Sequence, residues 1–244
     1  MRETFVIFRR ELTSYFYSPI AYVFGVLMTV LLLVLAASGS LVHGQQASMQ
    51  MFFGALPIVF LLFLPGLTMR LWAEERKMGT LELLMTFPVR IGHLVLGKFA
   101  AAVLFLAFVL VMTLGLPLTL AAYGRVDWPP VVGAYVASLL FAGSFVAVGM
   151  FWSSTTRDQI VAMLLSLVSL LLLYLLGYPA LIEAITGWMP AWLVDLTNGI
   201  SPYKYFESIG RGVLDSRDII YFTCFCGFFL YANALVLQHR RLKG

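Results

Sequence analysis

Residues 71–90 read LWAEERKMGTLELLMTFPVR, a charge-dense stretch between two long apolar runs. Glu74, Glu75, Arg76 and Lys77 come first. Gly79 can end a helical turn by taking a positive φ, and Thr80 can cap the next. Leu81, Leu84 and Met85 then fall at i, i+3, i+4 spacing on one face of a short helix. Pro88 stops it, because a proline disfavours helix at the residue before it. Such a helix cannot cross a bilayer, which takes about 20 apolar residues. It can lie at the membrane surface and offer a small apolar face to something soluble.

The flanking runs set the fold class. The chain has 244 residues, 61% hydrophobic and 11% charged. Soluble domains carry roughly 25% charged residues, so the solvent here is lipid. The net charge is +4, but the basic residues are scattered and form no nucleic-acid-binding cluster. Cys224 and Cys226 point to different sides of a helix, which speaks against a shared metal or a mutual disulfide.

Residues 1–17 place Phe5, Phe8, Leu12, Tyr15 and Phe16 on one helical face, with Arg2, Arg9, Arg10 and Glu11 largely on the other. That pattern predicts a helix lying along the interface. The apolar run after it is longer than a signal-peptide core and is read as retained. Six spans follow, near Ile20–Leu41, Met51–Met69, Phe99–Ala122, Val131–Trp152, Ile160–Leu176 and Ile219–Leu237. Pro57 and Pro65 interrupt the second, and Pro117 lies near the end of the third. Residues 178–218 are too polar to span and too apolar for an ordinary loop. They read as short external helices, with Ser201 as a cap, Pro202 at the first helical position, and Phe206, Ile209 and Val213 on one side. The expectation is therefore an all-α polytopic membrane protein with one permease domain.

Charge sets its orientation. With the termini inside, the inner segments hold twelve of the Lys and Arg residues; the outer ones hold four: Arg125, Lys204, Arg211 and Arg217. By the positive-inside rule, both termini and residues 74–88 face the cytoplasm, and residues 178–218 face outward.

Sites for chemistry are sparse. Gly92 to Phe99 (GHLVLGKF) imitates a phosphate loop but lacks the closing Ser or Thr, and no strand precedes it. Lys98 is expected to snorkel at the inner rim of the third span. His43, His93 and His239 are too dispersed to hold a metal beside Glu74 and Glu75. No ionisable residue is expected at mid-span, which argues against an ion-coupled transporter. Energy for transport would have to come from another chain.

Ala73-Glu-Glu-Arg-Lys-Met-Gly-Thr-Leu-Glu-Leu-Leu, set between the second and third spans, resembles the cytoplasmic coupling segment of ABC transporter permeases of the type-2 exporter class. The opening Arg9-Arg-Glu-Leu-Thr-Ser-Tyr-Phe-Tyr-Ser-Pro-Ile-Ala-Tyr resembles that family's interfacial helix. Residues 201–215, SPYKYFESIGRGVLD, resemble its external re-entrant helices. Within the family the nearest look is the permease subunit related to gliding-motility systems. The resemblance implies two permease subunits per pathway, a second copy or a paralogue. ATP and Mg²⁺ would be bound by separate cytosolic ATPase subunits, their hydrolysis coupled through this chain to export or to mechanical work across the membrane, with no cofactor on this chain and no catalysis by it.

The resemblance also assigns residues. Glu74, Glu75, Arg76, Gly79, Thr80, Leu81, Glu82 and Met85 would form the ATPase-coupling segment. Leu81 and Met85 would supply its apolar face, and the charges its register. Ser201, Pro202, Phe206, Glu207 and Arg211 would belong to the external helices. The setting would be a bacterial inner membrane, with an extracytoplasmic accessory protein as a further partner. Two other readings stay open: a membrane scaffold for such a partner, and an intramembrane enzyme.

Overall fold

In a computed structural model, residues 2–43, 49–81, 90–123, 127–186, 190–210 and 215–241 are described. They form helices, turns and bends, with no strand among the described residues. Five helical stretches are long and apolar enough to cross a membrane. The chain is an all-α, multi-pass membrane protein.

An amphipathic helix α1 (Arg2–Tyr17) leads through Ser18 into α2 (Pro19–His43). Next come α3 (Gln50–Thr68) and, after a break at Met69, α4 (Arg70–Lys77). The third apolar run is α5 (Ile91–Met112), followed by α6 (Gly115–Tyr123). The expected third span began at Phe99. The helix starts eight residues earlier, after the extended Arg90, since lysine is a good helix former and Lys98 does not interrupt it. It breaks at Thr113, the residue four before Pro117, whose ring excludes the carbonyl at that position from the helical ladder. The Thr113 hydroxyl donates instead to the Leu110 carbonyl and lies 3.1 Å from the Tyr135 hydroxyl.

Helix α7 (Trp128–Thr155) is the centre of the bundle, with α3, α4, α5 and three later helices packed around it. Phe141 to Met150 are all buried. Small residues at Ala142, Gly143, Ala147 and Gly149 allow neighbours to come close, as lipid-embedded interfaces require. Helix α8 (Gln159–Leu175) has 17 residues, about 26 Å, so it is shorter than the five long stretches. Asp158 starts it by accepting from the Ile160 amide. Three short helices follow: α9 (Pro179–Thr186), α10 (Ala191–Ile200) and α11 (Pro202–Gly210). The last is α12 (Ser216–Arg241).

The two ends of the bundle differ. Arg76 and Arg240 both donate to the Thr155 carbonyl, so α4, the end of α7 and the end of α12 share one end. At the other, the Ser201 hydroxyl donates to the Leu173 carbonyl, and the Tyr205 and Tyr221 rings stack at 3.8 Å.

Candidate functional site

The second apolar run does not stop at the bundle. It turns at Met69 and continues as α4, then bends at Gly79, whose φ is +70°. Only glycine takes that conformation cheaply. The Met78 amide donates to the Glu74 carbonyl and the Gly79 amide to the Arg76 carbonyl, closing the end of α4. The Thr80 hydroxyl reaches back to the Glu75 carbonyl at 3.1 Å; the amides it was expected to cap lie outside the described residues.

The break at Met69 has a specific cause. Ser153 on α7 accepts from the Trp72 and Ala73 amides at 3.0 and 3.2 Å. Its hydroxyl donates to the Met69 carbonyl at 2.8 Å. In an unbroken helix the Ala73 amide would bond Met69 directly. A side-chain hydroxyl is inserted in that rung, which is a recognised cause of a helix bend. The Trp72 and Ala73 amides and the Met69 carbonyl thus keep partners through the bend, as an apolar surrounding demands.

A buried ion cluster fixes the same elbow to α1 and α5. Lys98 is 2% exposed; its ammonium lies 2.9 Å from a Glu75 oxygen and 3.1 Å from a Glu11 oxygen. It also sits 5.0 Å from the centre of the Trp72 ring. Arg10 closes the cluster on Glu11 at 2.7 Å and on Glu75 at 3.4 Å. Burial alone would raise the Glu11 carboxyl, but Lys98 and Arg10 outweigh it and hold the group below its ordinary value. Two sequence expectations are corrected here. Lys98 turns inward between two carboxylates instead of snorkelling outward, because the paired acids repay its desolvation. Glu11 belongs to the packed side of α1, while Phe5 is exposed. Gly97 lets α1 come close: a Cβ there would lie 2.8 Å from Ile7.

The expected coupling residues are thus divided. Glu75 is committed to Lys98 and Arg10, and Arg76 to the Thr155 carbonyl. Leu81 is buried in the chain's own core, so the side chain expected to face a partner is not offered by this conformation. Met78 is 70% exposed, with Lys77, Gly79 and Thr80 also exposed beside it. Glu74 is half-exposed and lies 3.9 Å from Arg70. Glu82 and Met85, and the rest of the expected segment through Pro88, lie outside the described residues.

At the opposite end, Ser201 accepts from the Tyr203 amide, and Pro202 opens α11. Phe206 is buried with its ring 5.0 Å from that of Phe141, about 20 Å along α7 from Trp128. Ile209 is fully buried and Glu207 exposed. Arg211 and Val213 lie outside the described residues. Among those described, no three His, Cys, Asp or Glu converge to hold a metal.

A comparison with protein families matches residues 5–213 to the ABC-2 family transporter protein model. That range takes in α1, the elbow, α7 and the short helices at the far end. The chain belongs to the ABC-2 transporter family. Comparison with curated proteins finds no match. Within this family frame the elbow is a charged segment tied to α1, α5 and α7 by ion pairs and hydrogen bonds. Sequence reasoning did not single out Ser153 or Glu11 for this elbow. Ser153 opens the polar run Ser153-Ser-Thr-Thr156 at the end of an apolar helix, and Glu11 lies three residues from Phe8 and four from Tyr15, on the apolar face. Both signals were present.

Proposed function

We propose that this ABC-2 family protein is the membrane permease subunit of an ATP-driven transporter, acting with separate cytosolic ATPase chains. The observation that carries the proposal is the elbow itself: Glu74 to Thr80 project from a bundle of the transporter family through a bend held by Ser153 and by the Lys98 cluster. A docked ATPase that moved α4 would displace α1, α5 and α7 together, because α4 is hydrogen-bonded or ion-paired to each. Met78 and Thr80 are the side chains presented to such a partner, with Glu82 and Met85 continuing the segment.

The elbow faces the cytoplasm by the distribution of arginine and lysine, and α8 completes a set of six crossings between the two ends. Residues 178–218 form external helices that re-enter the membrane, supported by Phe206 packing halfway along α7. The pathway forms between this chain and a second copy or paralogue in a bacterial inner membrane. Assignment to the gliding-motility subgroup rests on the sequence resemblance alone. The cargo fits an amphipathic or lipid-linked molecule, given spans that offer apolar, aromatic and small side chains.

The test is purification of the full chain from its host with associated proteins retained. An ATPase bearing a phosphate loop is expected to co-purify, and its ATP hydrolysis to change when this chain is reconstituted with it. Recovery of extracytoplasmic proteins without an ATPase would favour the scaffold reading instead.

A further inference from the structure

A cavity of about 660 Å³ opens between α1 and the elbow. Its wall runs from Tyr17 at the end of α1 and Ser18 just before α2, past Leu67 in the last turn of α3, to Lys98 in α5. It therefore lies where apolar helices give way to charged segments, at the depth of lipid headgroups rather than of tails. Three cationic side chains, Arg10, Arg70 and Lys98, and three carboxylates, Glu11, Glu74 and Glu75, line it. Lys98 is consumed by Glu11 and Glu75. That leaves Arg10 and Arg70 able to donate, with Ser14 and Ser18 beside them; Arg70 already donates to the Ser18 hydroxyl at 2.9 Å.

Two buried oxygens on this wall lack a hydrogen-bond partner among the described residues. One is Oε2 of Glu75; the other is the hydroxyl of Tyr15, a residue only 5% exposed. Burial and the Glu11 carboxylate push the Tyr15 hydroxyl well up, so it stays protonated yet keeps an accepting lone pair. Orphaned polar atoms at this depth are costly. Both can accept a hydrogen bond, and Glu74 stands half-exposed as a third acceptor. Donors and acceptors alternate along this wall, Arg10 beside Glu11 and Glu75 and Arg70 beside Glu74, so it can meet both charges of a small zwitterion whose cation carries N–H groups. A purely anionic headgroup would face the carboxylates, and a trimethylated ammonium would leave the acceptors unfilled.

We infer that this cavity binds the ethanolamine phosphate headgroup of an inner-leaflet phospholipid, its phosphate on Arg10, Arg70, Ser14 and Ser18 and its ammonium on Glu74, Glu75 and Tyr15. The lipid would hold α1 against the elbow. The inference rests on the proposed cytoplasmic orientation of the elbow, but not on an ATPase docking nearby.

The test offers the full chain, purified in detergent, an equimolar mixture of phosphatidylethanolamine, phosphatidylglycerol and phosphatidylcholine with matched acyl chains, and reads retained lipid by native mass spectrometry. Phosphatidylethanolamine is expected to be retained about tenfold over phosphatidylcholine, the scale of one charge-assisted hydrogen bond. Tyr15→Phe keeps the ring stacked on Phe105, 5.2 Å away. It is expected to cut that preference several-fold without lowering the melting temperature. A hydroxyl with no ligand would leave the lipid profile untouched when removed, and that result overturns the inference. Equal retention of phosphatidylcholine, or of phosphatidylglycerol, overturns it as well. Free phosphoethanolamine at millimolar concentration is expected not to displace the lipid; displacement would contradict the bilayer as the source. If the cavity instead receives the ATPase, Arg70→Gln will weaken ATPase co-purification and leave lipid retention unchanged, which also overturns the proposal.

Discussion

Lys98 is a buried charge held between two carboxylates. An ammonium 2% exposed is tolerable only with both carboxylates in place. Lys98→Met removes the buried charge and leaves Glu11 and Glu75 to the half-exposed Arg10, so it is expected to destabilise the chain by about 2–4 kcal/mol. Thermal melts in detergent would show it, and adding Glu11→Gln should recover part of the loss. The pH dependence has a definite sign. Glu11 is held below its ordinary 4.5, so the folded state favours the carboxylate. That stabilisation is complete above about pH 4.5 and disappears as pH falls through the lowered value. A melting curve of the Glu11→Gln variant should be flatter across that acid range than the parent's. The side of α1 on which Glu11 falls was legible from its spacing to Phe8 and Tyr15. Its partner was not, because Lys98 is 87 positions away and sits within a false phosphate-loop match.

The elements most open to test are α4 and α1. Ser153→Ala leaves the Trp72 and Ala73 amides and the Met69 carbonyl without their present partner. The helix must then straighten or leave buried groups unpaired, at about 1–3 kcal/mol. ATPase stimulation is expected to fall further than the melting temperature alone would explain. Equal activity in the two proteins would remove Ser153 from the coupling reading. Gly97→Val drives a side chain into Ile7, where even a Cβ would lie at 2.8 Å. The expected result is α1 lifted from α5, seen as faster thiol labelling of a cysteine placed at Leu12. Apolar runs and proline positions made the long helices readable from sequence alone. Pro117 marked the break at Thr113, and Gly79 marked the bend. The bend at Met69 was not readable, because its cause is a hydroxyl on a helix distant in sequence.

At the scale of the molecule, α7 ties the two ends together. Phe206 from α11 packs on Phe141 of this helix, and the Trp72 and Ala73 amides of the elbow donate to Ser153 near its end. Phe206→Ala should cost about 3–5 kcal/mol in stability, since the ring is buried in an aromatic stack with Phe141 and Phe145. The family was legible from motifs spread over the whole chain, and the match to residues 5–213 covers the same ground. The side chains facing a partner were less legible. Helical spacing pointed to Leu81, whereas packing buries Leu81 and leaves Met78 outermost.

On the proposed function the elbow meets a cytosolic ATPase. The direct measurement is cross-linking from Met78→Cys, in a chain whose Cys224 and Cys226 are replaced by alanine, to the co-expressed ATPase with and without nucleotide. The expected result is a specific cross-link whose yield changes with ATP. A cysteine at position 78 that reacts only with membrane-dissolved reagents, and never with the ATPase, would contradict it.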